Sequence, residues 1–522
     1  MKINGSKFFL TSALAIFVSL NASAKDVTYS NPVLRGDFPD PSVIRVGDDY
    51  WATATTSEWA PLFPLLHSRD LVHWQNEGAV FQKLPEWTHG KYWAPEIAQF
   101  DGKFFVYYVA DKKGGSLNIG VATADNPKGP WTDHGPMIGQ AAGSIDPMPI
   151  NDENGVRYLV WKEDENSRKQ PTPIWAQKLS EDGTKLVGEM KELLRNDAPW
   201  EGNLVEGPFV LRRGDWFYMF YSGNGCCGRA CTYGMGVARS KKLLGPWEKN
   251  AGNPILAGNK IFKCPGHGSV VQDARGRDFL LYHAYSVKDS VFVGRQGLVD
   301  EIKWNADGWP VINDAKGPSG EALAPLKFAG PGMPLDMYDD FVTNKLGTQW
   351  QWPQSIEPAV QIEKGALVLS GNPERKDALM SSVLAVQTTT GDYAATTVID
   401  VREFSAGSSA GLFAFGDRDN ALGLSIRDGS VSVVRRQKNK DQVLQSVDLP
   451  KSAKIYLRMT ATKGHLFRFS IWNDTAWTEI GGNMDLDGDY LPPWDRGLRV
   501  ALTVGGDNAK ARFEWLKVIN AN

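Results

Sequence analysis

The sequence of 522 residues lacks an excess of either charge, because 57 Lys and Arg stand against 60 Asp and Glu, a formal net charge of −3. A chain with this balance has no field that draws in nucleic acid or an anionic membrane, so we expect neither as a partner. Helical periodicity is absent, and beyond the first residues no segment is apolar enough to cross a bilayer. A β-rich protein with a neutral substrate fits these absences best.

Cysteine is scarce and unevenly placed. The four cysteines are Cys226, Cys227, Cys231 and Cys264, all in one short stretch. A zinc site would need two ligand pairs at metal-binding spacing, whereas two of these cysteines are adjacent. In an oxidising compartment we therefore expect disulfide bonding among the four, and one possibility is a vicinal disulfide. The sequence leaves the pairing open.

The first residues have the composition of an export signal. Lys2 and Lys7 precede an apolar stretch at residues 8–20, and Ala-Ser-Ala at residues 22–24 forms a small-residue cleavage site. Residues 1–24 are thus predicted to be a signal peptide, with the mature chain beginning near Lys25. A periplasmic or secreted location follows.

The chain contains an internal repeat. A strand rich in aromatic and aliphatic residues, entered through a glycine turn, recurs five times at intervals of 53 to 62 residues. The turns lie at Gly47, Gly102, Gly155, Gly214 and Gly276. A strand repeat of this size indicates propeller blades, so we predict a five-bladed β-propeller over residues 25–312 in which the repeated strands line the channel. The alternative is a sandwich with coincidental hairpins.

The amino-acid composition of the sequence changes near residue 313. Residues 313–337 are rich in Gly, Pro and Ala and are predicted to be a linker. Short alternating strands separated by turn residues fill residues 338–522, which predicts an appended β-sandwich. The fold class is therefore all-β.

An ionisable residue beside proline or glycine precedes each repeat. These residues are Asp40, Glu96, Asp146, Glu206 and His267. Propeller symmetry is expected to bring them around one axis. Clustered carboxylates are costly in a channel unless they bind a cation or do chemistry, and the alternative is that they are solvated loop charges.

Paired carboxylates suit the cleavage of a glycosidic bond. That reaction needs an acid on the leaving oxygen and a carboxylate that activates water or attacks the anomeric carbon. Asp and Glu fill both roles when their surroundings push their pKa values apart. The cluster therefore points to a glycoside hydrolase.

Six motifs in order along residues 30–312 then give a specific resemblance. They are Asp-Phe-Pro-Asp-Pro-Ser (37–42), Trp-Ala-Pro-Glu (93–96), Ser-Ile-Asp-Pro (144–147), Val-Glu-Gly-Pro (205–208), Pro-Gly-His-Gly (265–268) and Ile-Lys-Trp-Asn-Ala-Asp-Gly-Trp-Pro (302–310). In order and spacing they resemble glycoside hydrolase family 43. The tail, with Asp-Asp-Phe (339–341) and Trp-Gln-Trp (350–352), resembles the concanavalin-like sandwich of that family's β-xylosidases.

The resemblance implies an inverting mechanism and assigns three catalytic residues. Asp40 matches the general base, Glu206 the general acid, and Asp146 the residue that orients the acid and tunes its pKa. Asp37 competes with Asp40 for the role of base, but it lies further from the following strand. Glu96 has no role in this set, and a structural ion pair and a functional carboxylate both stay open for it.

The resemblance also implies contacts with the sugar. Arg295, within Gly-Arg-Gln-Gly, matches an arginine that contacts the substrate, and Trp93 matches a wall of the pocket. Phe38 and Ile145, which stand inside the first and third motifs, are assigned to substrate binding with them.

His267 matches a central histidine that is often found beside a bound cation, commonly calcium. Calcium prefers oxygen ligands, so His267 would supply one ligand and water the rest. The alternative is a buried histidine without a metal. No organic cofactor is expected.

The sandwich is expected to close one side of the pocket. The candidate loop is residues 489–494, stiffened by two prolines, from which Tyr490 or Trp494 would reach the sugar. The alternative is that the tryptophan covers the sandwich's own core. A closed pocket favours an exo-acting enzyme that releases terminal xylose or arabinofuranose from plant-type polysaccharides or oligosaccharides. An endo-acting arabinanase or galactan-active relative, and a non-catalytic carbohydrate-binding propeller, are the alternatives.

Overall fold

The computed structural model describes residue 1 and residues 27–521 except 327–329, 376, 403, 405, 406 and 483. The predicted signal peptide lies outside the described residues apart from Met1. Within this range the helical segments are short: one α-helix, α1 (Ser290–Val293), and 3-10 turns at Glu165–Arg168, Pro199–Glu201 and Asn313–Ala315. No helix of the described chain has the length and apolar character of a membrane span.

Five four-stranded antiparallel sheets confirm the predicted propeller. Its strands are β1 (Thr28–Ser30), β2 (Ser42–Val46), β3 (Asp49–Thr53), β4 (Trp59–Ala60), β5 (Leu62–Ser68), β6 (Trp74–Phe81), β7 (Thr88–Phe100), β8 (Lys103–Lys112), β9 (Leu117–Ala124), β10 (Thr132–Ile138), β11 (Ser144–Asn151), β12 (Arg157–Glu163), β13 (Pro173–Leu179), β14 (Leu186–Arg195), β15 (Val205–Arg213), β16 (Trp216–Gly223), β17 (Gly234–Ser240), β18 (Glu248–Lys249), β19 (Phe262–Gln272), β20 (Asp278–Ser286), β21 (Gln296–Trp304), β22 (Pro310–Ile312) and β23 (Glu321–Leu323). The blades are β2-β3-β5-β6, β7-β8-β9-β10, β11-β12-β13-β14, β15-β16-β17-β18 and β19-β20-β21-β22.

The innermost strands form a closed ring around the channel. Strands β2, β7, β11, β15 and β19 each contact the next, and β19 returns to β2. The expectation that the repeated aromatic strands line the channel was wrong, because β3, β8, β12, β16 and β20 are the second strands of their blades. A second strand has a neighbour on each edge and a packed blade on each face, which is why its sequence is apolar almost throughout.

Each motif before a repeat places one residue in the left-handed backbone region. The residues and their φ angles are Asp40 (50°), Ala94 (38°), Asp146 (58°), Gly207 (57°) and His267 (38°). The ladder of the innermost strand slips at this point in blades two to five, as in a β-bulge. A bulge turns a side chain away from its regular direction. These five positions, each followed by Pro or Gly, are therefore the structural equivalents around the axis.

The sandwich consists of two large antiparallel sheets. Its strands are β24 (Met337–Asp339), β25 (Trp350–Pro353), β26 (Ala359–Ile362), β27 (Leu367–Ser370), β28 (Ser382–Gln387), β29 (Tyr393–Asp400), β30 (Ser409–Phe415), β31 (Ala421–Arg427), β32 (Ser430–Gln437), β33 (Lys440–Asp448), β34 (Lys454–Thr462), β35 (Leu466–Trp472), β36 (Trp477–Ile480), β37 (Leu486–Asp487), β38 (Arg499–Gly505) and β39 (Lys510–Asn520). One sheet runs β26-β27-β39-β29-β34-β35-β36, with β24 beside β39 and β37 beside β35. Alternate residues of both sheets meet in one apolar core.

The segment between the domains contains regular structure. Within residues 313–337, strand β23 pairs with β1 in a two-stranded sheet, so that Tyr29 lies opposite Ala322. Further contacts join the domains directly. The second sheet runs β33-β32-β31-β30-β38-β28-β25-β4, and its last strand, Trp59–Ala60, comes from the first propeller blade.

Candidate active site

A cavity of about 430 Å³ opens where the bulges of the innermost strands meet the sandwich. Its size lies within the range of small-molecule sites, roughly 300–1,000 Å³. Asp40, Asp146, Glu206 and His267 all line it, so four of the five ionisable residues singled out by sequence come together there.

Asp40 is held as an ionised carboxylate. Nη1 of Arg295 donates to its Oδ1 at 2.9 Å, and the hydroxyl of Thr55 donates to its Oδ2 at 2.7 Å. Burial alone would raise the pKa of Asp40, but the charge of Arg295, followed by that of His267, outweighs burial and holds the pKa well below its usual range. The backbone N–H of Asp40 donates to Nδ1 of His283 at 3.0 Å, which fixes the backbone just ahead of β2.

Asp146 and Glu206 form a coupled pair on neighbouring blades. The backbone N–H of Gly207 donates to Oδ2 of Asp146 at 2.8 Å. Burial raises the pKa of Asp146. The charge of His267 lowers it and the charge of Glu206 raises it, and the net result is a pKa raised to about 6. A side chain at Gly207 would place its Cβ 2.8 Å from the His267 ring, so the close packing of these blades requires glycine.

Lys162, which the sequence analysis did not single out, stabilises the ionised form of Glu206, whereas Asp146 favours its protonated form. Its Nζ donates to Oε2 of Glu206 at 2.8 Å, and the hydroxyl of Tyr233 donates to Oε1 at 2.9 Å. Burial raises the pKa of Glu206, but the charge of Lys162 outweighs it, so the pKa is lowered. In the free site the pair therefore keeps its proton on Asp146. One signal could have revealed Lys162: it is a lone cation in the buried part of β12.

The surroundings of His267 do not favour calcium. Its Nδ1 lies 3.4 Å from Oδ1 of Asp40, an oxygen that already accepts from Arg295. Calcium takes six to eight oxygen ligands. The guanidinium of Arg295 already neutralises the negative charge of Asp40, which a bound cation would otherwise do. The residues present thus do not fit a calcium ion held by protein oxygens. Burial lowers the pKa of the neighbouring His283 to about 4, so that ring is neutral.

Four of the predicted substrate residues line the cavity, namely Trp93, Ile145, Arg295 and Trp494. The assignment of Phe38 to the pocket was wrong. Its ring turns back against Gly36, where an added Cβ would lie 3.4 Å from Cε2, and it packs into the core between blades one and five. Its backbone N–H donates to the carbonyl of Arg295 at 2.8 Å, so Phe38 supports the site only through its main chain.

Asp37 and Glu96 lie outside the cavity lining. Oδ2 of Asp37 accepts from the backbone N–H of Gly497 at 3.0 Å and lies 3.4 Å from Nη2 of Arg499, so Asp37 joins the propeller to the sandwich. Glu96 follows its bulge residue by two positions and lines a separate cavity of about 670 Å³ further along the channel. Glu96 thus lies along the same channel as Asp40 but away from the cavity that contains the other four residues. Burial raises its pKa to about 8.

The sandwich closes one side of the cavity. The ring of Trp494 meets Trp93 edge to face at 6.1 Å, and the carbonyl of Asp495 accepts from Nη2 of Arg295 at 3.1 Å. Tyr490 turns the other way, donating from its hydroxyl to the carbonyl of Ala421 at 3.1 Å within the sandwich. Of the two aromatic candidates in the loop, Trp494 reaches the pocket.

The expected disulfide bonding among the four cysteines is present, and the structure gives the pairing that the sequence left open. Cys226 bonds to Cys227, and Cys231 bonds to Cys264. The vicinal pair lines the same cavity as the carboxylates.

Comparison with known families agrees with this geometry. Residues 29–310 match the model of glycosyl hydrolases family 43, and residues 338–518 match the β-xylosidase C-terminal concanavalin A-like domain. The chain belongs to glycoside hydrolase family 43. It is therefore a glycosidase that acts on carbohydrate, built from a five-bladed propeller and a concanavalin-like sandwich.

Similar proteins span nearly the whole enzyme. It is 28% identical to a non-reducing end α-L-arabinofuranosidase of Bacteroides ovatus, over 95% of each chain. It is 24% identical to a β-xylosidase of Bacillus subtilis, over 88% of this chain and 93% of that one. A family 43 structure from Bacillus licheniformis superposes with a TM-score of 0.82 at 24% identity, covering 95% of this chain and 100% of the other. This last likeness concerns the fold.

Proposed function

We propose that the enzyme is an inverting, exo-acting glycosidase that releases terminal xylose or arabinofuranose from plant-type oligosaccharides or polysaccharides. The observation that carries the proposal is the cavity itself, which holds Asp40, Asp146 and Glu206 between both domains. Two relatives with whole-length matches are named as an arabinofuranosidase and a β-xylosidase, which supports a pentose as the sugar.

Asp40 is the general base in this proposal. Its carboxylate is ionised throughout the working pH range because Arg295 neutralises it. The same ion pair weakens it as a base. Arg295 also lines the cavity, so a sugar hydroxyl that accepts from its guanidinium would loosen the pair and increase the basicity of Asp40. Substrate binding and base activation are then the same event.

Glu206 delivers the proton to the leaving oxygen, and Asp146 stores it. Below a pH of about 6 the pair holds one proton. In the free site that proton is on Asp146, since Lys162 stabilises the Glu206 carboxylate. It has to move to Glu206 before it reaches the substrate. Asp146 thus tunes the acid, in agreement with the role that the family resemblance implies.

Exo action follows from the wall that the sandwich builds. Trp494 and Asp495 stand beside propeller residues in one cavity lining. A chain end fits a cavity closed on this side, whereas an endo-acting enzyme needs a groove that runs across the mouth of the channel.

The decisive experiment is a substrate panel. Aryl β-D-xylosides, aryl α-L-arabinofuranosides, short xylo- and arabino-oligosaccharides and polymeric linear arabinan are each incubated with the enzyme, and the first anomer formed is read by proton NMR. We expect single terminal pentoses with inverted configuration. Oligosaccharides released from within arabinan, without turnover of aryl pentosides, would favour the endo-acting alternative. Binding without turnover of any of these substrates would favour a carbohydrate-binding propeller.

Two further properties belong to the same proposal. Export to the periplasm or the medium is supported by the charged and apolar pattern of residues 1–24, and the N-terminal sequence of the mature enzyme tests it.

Calcium at His267 remains a prediction that the surrounding residues do not favour. Chelation followed by calcium titration, read as heat of binding, tests it.

A further inference from the structure

The vicinal disulfide forms part of the pocket wall. Cys226 and Cys227, whose Cα atoms are 3.7 Å apart, both line the cavity that contains Asp146 and Glu206. Disulfide sulfurs carry no hydrogen to donate and accept hydrogen bonds weakly. The wall is therefore apolar at this point, directly beside the charged groups of the site.

The loop that carries this disulfide is fixed to the propeller. The Cys231–Cys264 disulfide ties it to β19, the strand that bears His267. Within the loop, the backbone N–H of Thr232 donates to the carbonyl of Gly225 at 2.9 Å. The backbone N–H of Gly228 donates to the hydroxyl of Tyr285 at 3.2 Å. The sulfurs thus have a defined position relative to the acid–base groups.

The same loop is also held by the sandwich. Nη1 of Arg229 lies 2.8 Å from Oδ1 of Asp489, at the start of the loop that leads to Trp494. A Cβ added at Gly228 would lie 3.3 Å from the carbonyl oxygen of Trp494, so the two loops touch. The disulfide and the Trp494 ring therefore form adjacent parts of one wall.

We propose that the Cys226–Cys227 disulfide is a specificity-determining contact, which packs against the carbon–hydrogen face of the sugar ring in the pocket. The inference rests on the proposed function, because it takes the ring to be that of the terminal pentose. Sugar hydroxyls have partners in Asp40, Arg295 and Lys162, whereas a ring face needs an apolar surface. Because the loop is also held by the bond of Gly228 to Tyr285 and the ion pair of Arg229 with Asp489, this wall is fixed in place and excludes the additional exocyclic carbon of a hexose.

The test compares two double variants that each remove one disulfide. Cys226→Ala/Cys227→Ala is expected to raise the inhibition constants of free D-xylose or L-arabinose roughly tenfold or more, the range for a lost apolar contact in a pocket. kcat/KM for the preferred aryl pentoside should fall by a similar factor, and discrimination against the matching aryl hexoside should narrow. Inhibition and turnover within twofold of the wild type would overturn the inference.

Cys231→Ala/Cys264→Ala is the matched control. Neither of its sulfurs lines the cavity. We expect a lower melting temperature with less than a threefold change in the inhibition constants. Equal weakening of sugar binding in both double variants would overturn the inference, because it would show that the disulfides act only through loop stability.

A second measurement does not depend on breaking either bond. A crystal structure of Asp40→Asn with a bound pentoside should show sulfur atoms of Cys226 or Cys227 within about 4.5 Å of ring carbons. A ring bound away from both sulfurs would overturn the inference while leaving the proposed function intact. Failure of the wild-type enzyme to cleave any pentoside would instead count against the proposed function.

Discussion

Nζ of Lys162 lies 2.8 Å from Oε2 of Glu206 and 2.9 Å from Oδ1 of Asp164, and only 1% of the lysine side chain is exposed. A buried ammonium between two carboxylates stabilises their ionised forms. Glu206 therefore lies in surroundings that oppose the protonated state a general acid needs. Lys162 decides how the proton is divided between Glu206 and Asp146, and hence over which pH range the enzyme works.

Lys162→Met should move the high-pH limb of the activity profile. The wild-type limb is expected near pH 6, because the Asp146–Glu206 pair loses its proton as the pH rises through the raised pKa of Asp146, about 6. Removal of a cation raises the pKa of neighbouring carboxyls, so the limb should shift to higher pH. Profiles of kcat/KM on an aryl pentoside measure the shift. The exposed Lys185→Met, in the same blade, should leave the limb in place, and an unmoved limb in Lys162→Met would show that the lysine does not set the proton's position.

Asp40→Asn and Asp37→Asn should separate catalysis from domain attachment. The first removes the base, and we expect kcat to fall about 10²–10⁴-fold. The second changes a residue outside the cavity lining and weakens the bonds to Gly497, Arg499 and the backbone N–H of Arg295, so we expect a lower melting temperature and a loss in kcat of less than tenfold. Steady-state kinetics and thermal unfolding of the two variants, measured together, give both quantities. A reversed pattern would make Asp37 the base.

Glu206→Gln should affect substrates according to their leaving groups. The amide keeps the shape beside Lys162 and Tyr233 but has no acidic proton to deliver. Glycosides with poor leaving groups should lose about 10²–10⁴-fold in kcat/KM, while activated nitrophenyl pentosides, which need little protonation, should lose far less. A series of aryl pentosides of graded leaving-group pKa measures the difference. Equal losses across the series would exclude Glu206 as the acid.

Trp494→Ala should weaken substrate binding without a large change in the fold. Trp494 is 61% exposed and its ring centroid lies 6.1 Å from that of Trp93, so its removal opens the pocket more than it disturbs the core. We expect KM for short oligosaccharides to rise roughly tenfold, the scale of one aromatic contact. Tyr490→Phe, which removes only a hydroxyl bonded inside the sandwich, is the matched control with KM unchanged. Unaltered KM in Trp494→Ala would mean that the sandwich does not bind the sugar.

The sequence predicted the propeller and the clustering of Asp40, Asp146, Glu206 and His267 because both follow from a repeat. Register within the motifs was harder to predict. When the five motifs are aligned on their left-handed residues, Ala94 is the equivalent of Asp40, and Pro95 is the equivalent of Pro41. Glu96 then falls two positions further along, which its charge alone does not reveal.

Side-chain direction and long-range partners were beyond the sequence for a physical reason. Phe38 lies in the right motif, two positions before Asp40, but its ring packs into the core between blades one and five, and the motif does not reveal which way the side chain points. Lys162 donates to Glu206, which lies in the next blade and 44 positions further along the chain. This contact forms only when the blades close into a ring. The position of Lys162 in the buried part of β12 could have indicated that a partner exists, without identifying it.

Strand β4 constrains how this enzyme can be recombined with its relatives. Trp59 belongs by chain order to the propeller, yet it packs against Phe415 in a second apolar cluster whose other members all come from the sandwich. A chimera that exchanges only the C-terminal domain would set a foreign β25 against this native edge. A mismatch there leaves backbone groups of the sheet unpaired, and open sheet edges promote association between chains. Exchange of specificity between such enzymes should therefore succeed only when residues 59–60 travel together with the sandwich they complete.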